Sequence, residues 1–291
     1  MKLSTLYDKI VKFGAELDPR KKARIKAYED TAILYGRPDT QVNDILVGID
    51  IAPAEILLAD KLRQTRALDL VMAHHPEGRA RSIFFEVMDL QIDVLAKLGL
   101  PKEAVRRLVE ARKWEVEKKL LSGNHSQTVD VARLLDMPFM CAHTPADNHA
   151  ANFVQKLMNA KKPSRVEDII DVLLEVPEYK QAKKEFNGPQ VILGSPKRKA
   201  GKVFVDMTGG TEGPRDVLGK FSKVGVRTLV GMHLSDTHFL KAKDSNLNVV
   251  IAGHISSDTL GLNLLLDRIE KDAGKQFRCV ECSGFRRIRR N

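Results

Sequence analysis

The chain has 291 residues, 43% of them hydrophobic and 30% charged, with a formal net charge of +10 at neutral pH. That length suits one large or two ordinary domains, each burying its own core, and the positive charge favours phosphate-bearing partners without choosing among them. Three cysteines, Cys141, Cys279 and Cys282, are too few and too unevenly spaced for a disulfide framework, and no apolar run has signal-peptide or membrane-spanning length, so a soluble, cytoplasmic protein with no membrane partner is expected.

Short buried strands alternate with amphipathic helices, the mark of an α/β fold built as two lobes with mostly parallel sheets. Residues 44–50 (DILVGID) predict a strand and residues 53–65 a helix. A second strand, LDLVMA, ends on the pair His74 and His75. Two long helical segments follow at 83–98 and 102–121, the second opened by Pro101 in the tolerated first turn, and they read as an insertion between strands. A short helix over 128–136 leads to the strand PFMCAH, and a helix over 148–158 completes a first lobe spanning 1–160. Residues 161–202, rich in Lys and Pro around a helix near 166–176, form a connecting segment. The second lobe, 203–291, carries strands at KVFVDM, RTLVGM and LNVVIAG, helices near 214–221 and 236–242, and a closing helix over 258–271; either lobe could be discontinuous in sequence.

In an open α/β sheet the loops at the carboxyl ends of the strands splay into a crevice where ligands bind. Those ends carry Asp50, His74, His75, His143 with Asp147, Asp206, His233, and His254 with Asp258. Histidine with carboxylate and no thiolate cluster suits a divalent metal used in hydrolysis, such as Zn, Mn, Fe(II), Ni or Co. Ligands drawn from separate loops, including carboxylates able to bridge, would hold two ions about 3.5 to 4 Å apart in the cleft between the lobes and make a hydroxide nucleophile near neutral pH. A His-His dipeptide by itself is usually incidental. The other loops are what turn it into half of a site.

Several stretches in register, DTAILYGRPDTQVNDILVGIDIAP, LVMAHHP, CAHTPAD, MTGGTEG and VVIAGHISSD, resemble the Nif-three-like (NGG-interacting factor three) family of dinuclear-metal proteins, often named type 2 GTP cyclohydrolase I. The likeness covers roughly residues 1–75 and 136–270. It implies the Nif-three-like fold in its short form, two metal ions, a toroidal homohexamer, and hydrolytic ring opening of GTP or a related nucleotide. By the same resemblance His74 and His75 match the family's histidine pair, Asp147 the aspartate of its HT..D motif and His254 the histidine of its GH...E motif. Asp258 stands where that motif has glutamate, which shortens the reach by one carbon–carbon bond and puts bridging of both ions by this residue in question. His143 matches a histidine beside the site and is cast as the catalytic proton carrier. The helical insertion at 83–121 departs from the family's short connection.

Other signals have two readings each. In MTGGTEGPRD, Thr208, Gly209, Gly210 and Gly213 could cradle a phosphate or form a tight strand-to-helix turn, with Thr211 and Glu212 as cap residues. His233 and His238 could be an extra ligand or substrate contact, or hydrogen-bonded bystanders; His125 and His149 stand the same way. Cys279 and Cys282 have half the spacing of a zinc site, or lie on an ordinary C-terminal strand. The basic runs DPRKKARIK, SPKRKAGK and FRRIRRN could grip nucleic acid or be solvated surface. The function expected is that of a metal-dependent hydrolase; the rival is a metal-containing ring that binds nucleic acid or a protein regulator, and a third reading is metal storage.

Overall fold

The computed structural model describes residues 1–20 and 25–290, so part of the DPRKKARIK run and the final asparagine of FRRIRRN lie outside the described residues. In chain order the first part contains α1 (Leu3–Leu17), β1 (Thr31–Tyr35), β2 (Asp44–Gly48), α2 (Pro53–Arg63), β3 (Leu70–Ala73) and α3 (Gly78–Ser82). A 3-10 helix (Phe84–Asp89), α4 (Leu90–Lys97), α5 (Lys102–Leu120), α6 (Gln127–Leu134), β4 (Phe139–Ala142) and α7 (Thr144–Lys161) follow. The remainder is α8 (Val166–Leu173), α9 (Pro177–Lys184), β5 (Gln190–Leu193), β6 (Lys202–Asp206), a 3-10 helix (Arg215–Val224), β7 (Val226–Gly231), α10 (Asp236–Asp244), β8 (Asn248–Ile251), α11 (His254–Ala273) and β9 (Arg278–Cys282).

These elements form two mixed sheets that are mostly parallel. The first has the order β1-β4-β3-β2-β9, and the second β5-β8-β7-β6. One edge strand of each is antiparallel: β1 against β4, and β5 against β8. The inner strands of the first sheet are buried along their length, as their unbroken apolar runs require of strands covered on both faces. β9 leaves the second-lobe elements that precede it and pairs in parallel with β2.

α7 and α11 lie between the two sheets. Leu262, Leu265 and Leu266 of α11 pack with α1 and the first sheet, while its Leu260 packs with Ala150 and Val154 of α7 against the second. A helix with apolar residues on opposite faces is stable only when buried between two layers. The outer face of the first sheet is covered by α2, α3 and α6. The outer face of the second takes α10, the second 3-10 helix and the insertion, whose Met88, Ile92, Leu95, Val105 and Val109 pack with Phe204, Phe221 and Leu229. Although the insertion lies between two strands of the first sheet, its apolar surface is buried on the second. The segment 83–98 is broken into a 3-10 turn and a short α-helix rather than one long helix, and 214–221 is also 3-10. Among the described residues no helix is long and apolar enough to cross a membrane.

Candidate metal centre

β3 runs out at Ala73, yet the hydrogen-bond ladder continues for two residues: the backbone N–H groups of His74 and His75 donate to the carbonyls of Gly48 and Ile49 at 2.9 and 3.0 Å. With both backbones held, the two rings tilt apart by 48°, their centroids 5.2 Å from each other. Each ring is fixed through Nδ1. That of His74 lies 3.2 Å from the Ala142 carbonyl, and that of His75 lies 2.7 Å from Oδ1 of Asp50. An imidazole whose Nδ1–H donates to oxygen presents an Nε2 lone pair, the tautomer a metal requires.

The carboxylates arrive on the two central helices. Asp147 sits in the first turn of α7, four residues after His143. α11 opens at Gly253, whose φ of +110° a side chain rarely adopts, and carries His254 and Asp258 one turn apart. Nε2 of His74 lies 3.3 Å from Oδ1 of Asp147 and 3.4 Å from Oδ1 of Asp258. Oδ2 of Asp258 faces the opposite way, 3.4 Å from Nε2 of His75 and 3.5 Å from Nε2 of His254. The shorter side chain therefore still presents one oxygen to each half of the cluster, because α11 itself carries it to the centre.

Four of these atoms, Nε2 of His74, Oδ1 of Asp147 and both oxygens of Asp258, are buried without a hydrogen-bond partner. Leaving buried polar atoms unpaired costs about 1–3 kcal/mol each, more for charges, so their convergence calls for something that binds them all. The donors fall into three overlapping groups: His74, Asp147 and Asp258; His75, His254 and Asp258; and His74, His75 and His143. Donors about 2.1 Å from one ion at tetrahedral angles stand roughly 3.4 Å apart, which matches the distances from His74 to Asp147 and Asp258 and from Asp258 to His75 and His254. The donor set suits metal, and Asp258 belongs to both the first and the second of these groups.

Electrostatics point the same way. Burial pulls the His74 imidazolium down, but the Asp258 and Asp147 carboxylates outweigh it and hold the group up at about 10. His75 is raised in the same manner by Asp258 and Asp50. Burial works against the Asp258 carboxylate too, yet His74, His75 and His254 keep it well below the usual carboxylate range. His254 is lowered, chiefly by burial. At His74 and His75 the pull of the carboxylates outweighs burial and favours a proton on the imidazole, while at His254 burial prevails.

His143 precedes α7 with its Nδ1 2.8 Å from Oδ2 of the fully buried Asp30, which also accepts from Thr144 Oγ1 at 2.7 Å. Its Nε2 turns into the cleft, 3.7 Å from Oδ2 of Asp147. Asp30 heads the stretch DTAILYG, where local pattern gives it no role. β1 is antiparallel to β4, with Thr31 opposite Ala142, so the start of β1 lies level with the carboxyl ends of its neighbours. Looking for ligands only after strands misses a residue placed before one.

The second sheet ends on the same cleft. A cavity of about 70 Å³ is lined by His143, Asp147, His254 and Asp258 from the cluster and by Asp206, Glu212 and His233 from the second sheet. The His233 ring stands 4.8 Å from that of His254. Glu212 is held by the Ser235 backbone N–H, His233 and His238, which overcome burial and lower its carboxyl to about 2. Gly209 and Gly210 have φ of +94° and +87°, and β-carbons there would stand 2.7 Å from Gln91 and 3.0 Å from Phe84. Gln91 donates to the carbonyls of Gly209 and Thr211 at 2.8 and 2.6 Å, so the glycine loop is a tight turn clamped by the insertion. His125 bonds the Leu120 carbonyl, and His149 is half-buried beside Phe13 of α1, with desolvation lowering it to about 4; neither belongs to the cluster. Cys279 and Cys282 lie on β9, and among the described residues no metal-ligand group contains a cysteine.

No protein-family profile matches the chain, and no curated protein is similar to it. Among solved structures, a NIF3 superfamily protein from Sphaerobacter thermophilus is 30% identical over 95% of this chain and 97% of its own, with a TM-score of 0.80. The chain belongs to the NIF3 superfamily. Reduced HcgD from Methanocaldococcus jannaschii (17% identity, 97% of each chain, TM-score 0.55) and a protein from Thermus thermophilus (14% identity, 97% of each chain, TM-score 0.52) share the fold. The NIF3 fold here thus carries a buried His/Asp cluster suited to metal, at the point where its two sheets meet.

Proposed function

We propose that the chain is a dinuclear-metal hydrolase acting on a nucleotide-like small molecule, with His74, His75, Asp147, His254 and Asp258 as ligands and His143 as proton carrier. The observation that carries this reading is the set of unpaired buried donors on Asp258, Asp147 and His74. Two divalent ions, from among Zn, Fe, Mn, Ni and Co, would supply paired Lewis acids able to lower the pKa of water.

The remaining work falls to side chains. Asp30 accepts the Nδ1 proton of His143, which leaves Nε2 free to take a proton in the cleft and return it to a leaving group. Asp50 and the Ala142 carbonyl orient His75 and His74. The apolar walls of the adjoining cavity exclude bulk water from the reacting atoms. The family's ring-shaped hexamer belongs to the same proposal.

One of the three basic runs behind the rival reading, a nucleic-acid-binding ring, is engaged elsewhere. Arg287 pairs with Asp267 and Glu270 at 2.5 and 2.8 Å, Arg289 with Glu270 at 3.2 Å and Arg290 with Glu178 at 2.5 Å, so these arginines are bound within the chain. Elemental analysis of protein purified without chelator tests the proposal. About two ions per chain, lost in His75→Ala and Asp258→Ala, together with nucleotide hydrolysis that follows metal content, is the expected result. A metal-free wild type would overturn it.

A further inference from the structure

The first turn of α11 serves two cavities. His254 and Asp258 line the one beside the metal cluster, whereas Ile255 and Ser256, which lie between them in sequence, line a separate cavity of about 60 Å³ where α9 meets the C-terminal segment. The floor of this second cavity is unsatisfied. Ser256 is only 8% exposed, and its hydroxyl oxygen is buried without a hydrogen-bond partner. The N–H groups of His254, Ile255 and Ser256 open a 20-residue helix that has no side-chain cap, and among the described residues they donate to no acceptor. Such a helix start favours negative charge, and a withdrawn hydroxyl without a partner marks a place where something else binds. The mouth carries one charge of each sign. Arg287, Arg289 and Arg290 are bound to carboxylates, but Arg286 donates to the Phe285 carbonyl and has no ion-pair partner among the described residues. Across the cavity, Glu178 is saturated by Asn263 and Arg290, while Glu185 accepts from the Gln181 amide and likewise has no ion-pair partner among the described residues.

We propose that this cavity binds a small zwitterion, an α-amino acid, whose carboxylate accepts from the Ser256 hydroxyl and the Arg286 guanidinium and whose ammonium donates to Glu185. A lone anion is opposed by Glu185, and a lone cation by Arg286 and the positive end of α11. A molecule that carries both charges one carbon apart meets both demands, with charge-assisted hydrogen bonds at each end. The volume sets the size: 60 Å³ equals roughly four waters, about the room of the shortest amino acids, and Ala182 and Ile255 give the cavity apolar sides against which a longer side chain has no space. The site stands whether or not the metal cluster is hydrolytic, because none of its groups belongs to that cluster.

The probe is isotopically labelled glycine, followed by equilibrium dialysis against the full chain. Acetate and methylamine, each carrying one of the two charges, are the competitors. Saturable binding of about one glycine per chain is expected, with either competitor displacing it at least about tenfold less effectively than unlabelled glycine does. Ser256→Ala, Arg286→Gln and Glu185→Gln should each weaken binding about tenfold while melting temperature and metal content hold, because none of the three groups removed has an ion-pair partner to leave behind. Ala182→Phe, which fills the cavity from α9, should block binding by a separate route. No saturable binding below about 10 mM glycine, acetate competing as well as glycine, or undiminished binding to Ser256→Ala, Arg286→Gln, Glu185→Gln or Ala182→Phe would each overturn the inference.

Discussion

Gly261 of α11 lies so close to Ala146 of α7 that a β-carbon on it would stand 2.5 Å from the Ala146 carbonyl oxygen. Asp147 follows Ala146, and Asp258 lies one turn before Gly261, so this approach sets the distance between the two carboxylates that face His74. Gly261→Ala should push the helices apart, destabilise the protein by about 1–3 kcal/mol, and reduce metal content. Urea unfolding and elemental analysis check both parts; unchanged metal content would show that the contact does not set the site.

Asp258 is shared by both halves of the cluster, whereas the histidines that Asp147 meets are His74 and His143. Asp258→Ala should therefore abolish binding of both ions, and Asp147→Ala should leave one partly occupied. Metal stoichiometry of the two variants, measured side by side, distinguishes a shared ligand from two independent sites.

Asp30 acts through His143. Asp30→Asn keeps the size of the side chain but no longer favours a proton on His143 Nδ1, so metal content should hold while turnover falls by about 10²-fold. Parallel loss of metal and turnover would assign Asp30 to folding of the site instead.

His74 is raised to about 10 by carboxylates it meets only in the folded chain. A group raised in the folded state contributes stability below its unfolded value, about 6.5, and that contribution disappears as pH rises toward 10. The metal-free protein should lose melting temperature between those limits, and the metal-loaded protein should not, since the ion replaces the proton. Metal binding at neutral pH should also release protons, which calorimetry in buffers of different ionisation enthalpy detects.

Arg287 is almost wholly buried between Asp267 and Glu270. Arg287→Ala leaves two acidic groups facing one another and should cost about 3–5 kcal/mol in urea unfolding. A loss of nucleic-acid affinity without a loss of stability would return the tail to the binding reading.

Much of this was legible in the primary structure, for reasons that also explain what was not. In a parallel sheet flanked by helices, a polar residue directly after an apolar run has one place to go, which is why His74, His75, His143 and His254 could be set at one cleft from local pattern alone. Asp30 escaped that reasoning because an antiparallel edge strand reverses it. The helix carrying Asp147 begins at Thr144 rather than near 148, since Pro145 is favourable in a first turn. The packing of the insertion on the second sheet, and the hold of Gln91 on Gly209, depend on contacts 118 positions apart that no periodicity announces. α1, β1, α9 and β5 went unread.

The pairing of β9 with β2 joins Asp44 to Arg278 across 234 positions. On a ribosome, β2 emerges early and waits with a bare edge until the whole second sheet has been synthesised. An exposed parallel edge of apolar residues is a template for pairing with other nascent chains. A product cut short before residue 278 would keep every residue of the metal cluster and still carry that open seam, and its fate would be aggregation before loading.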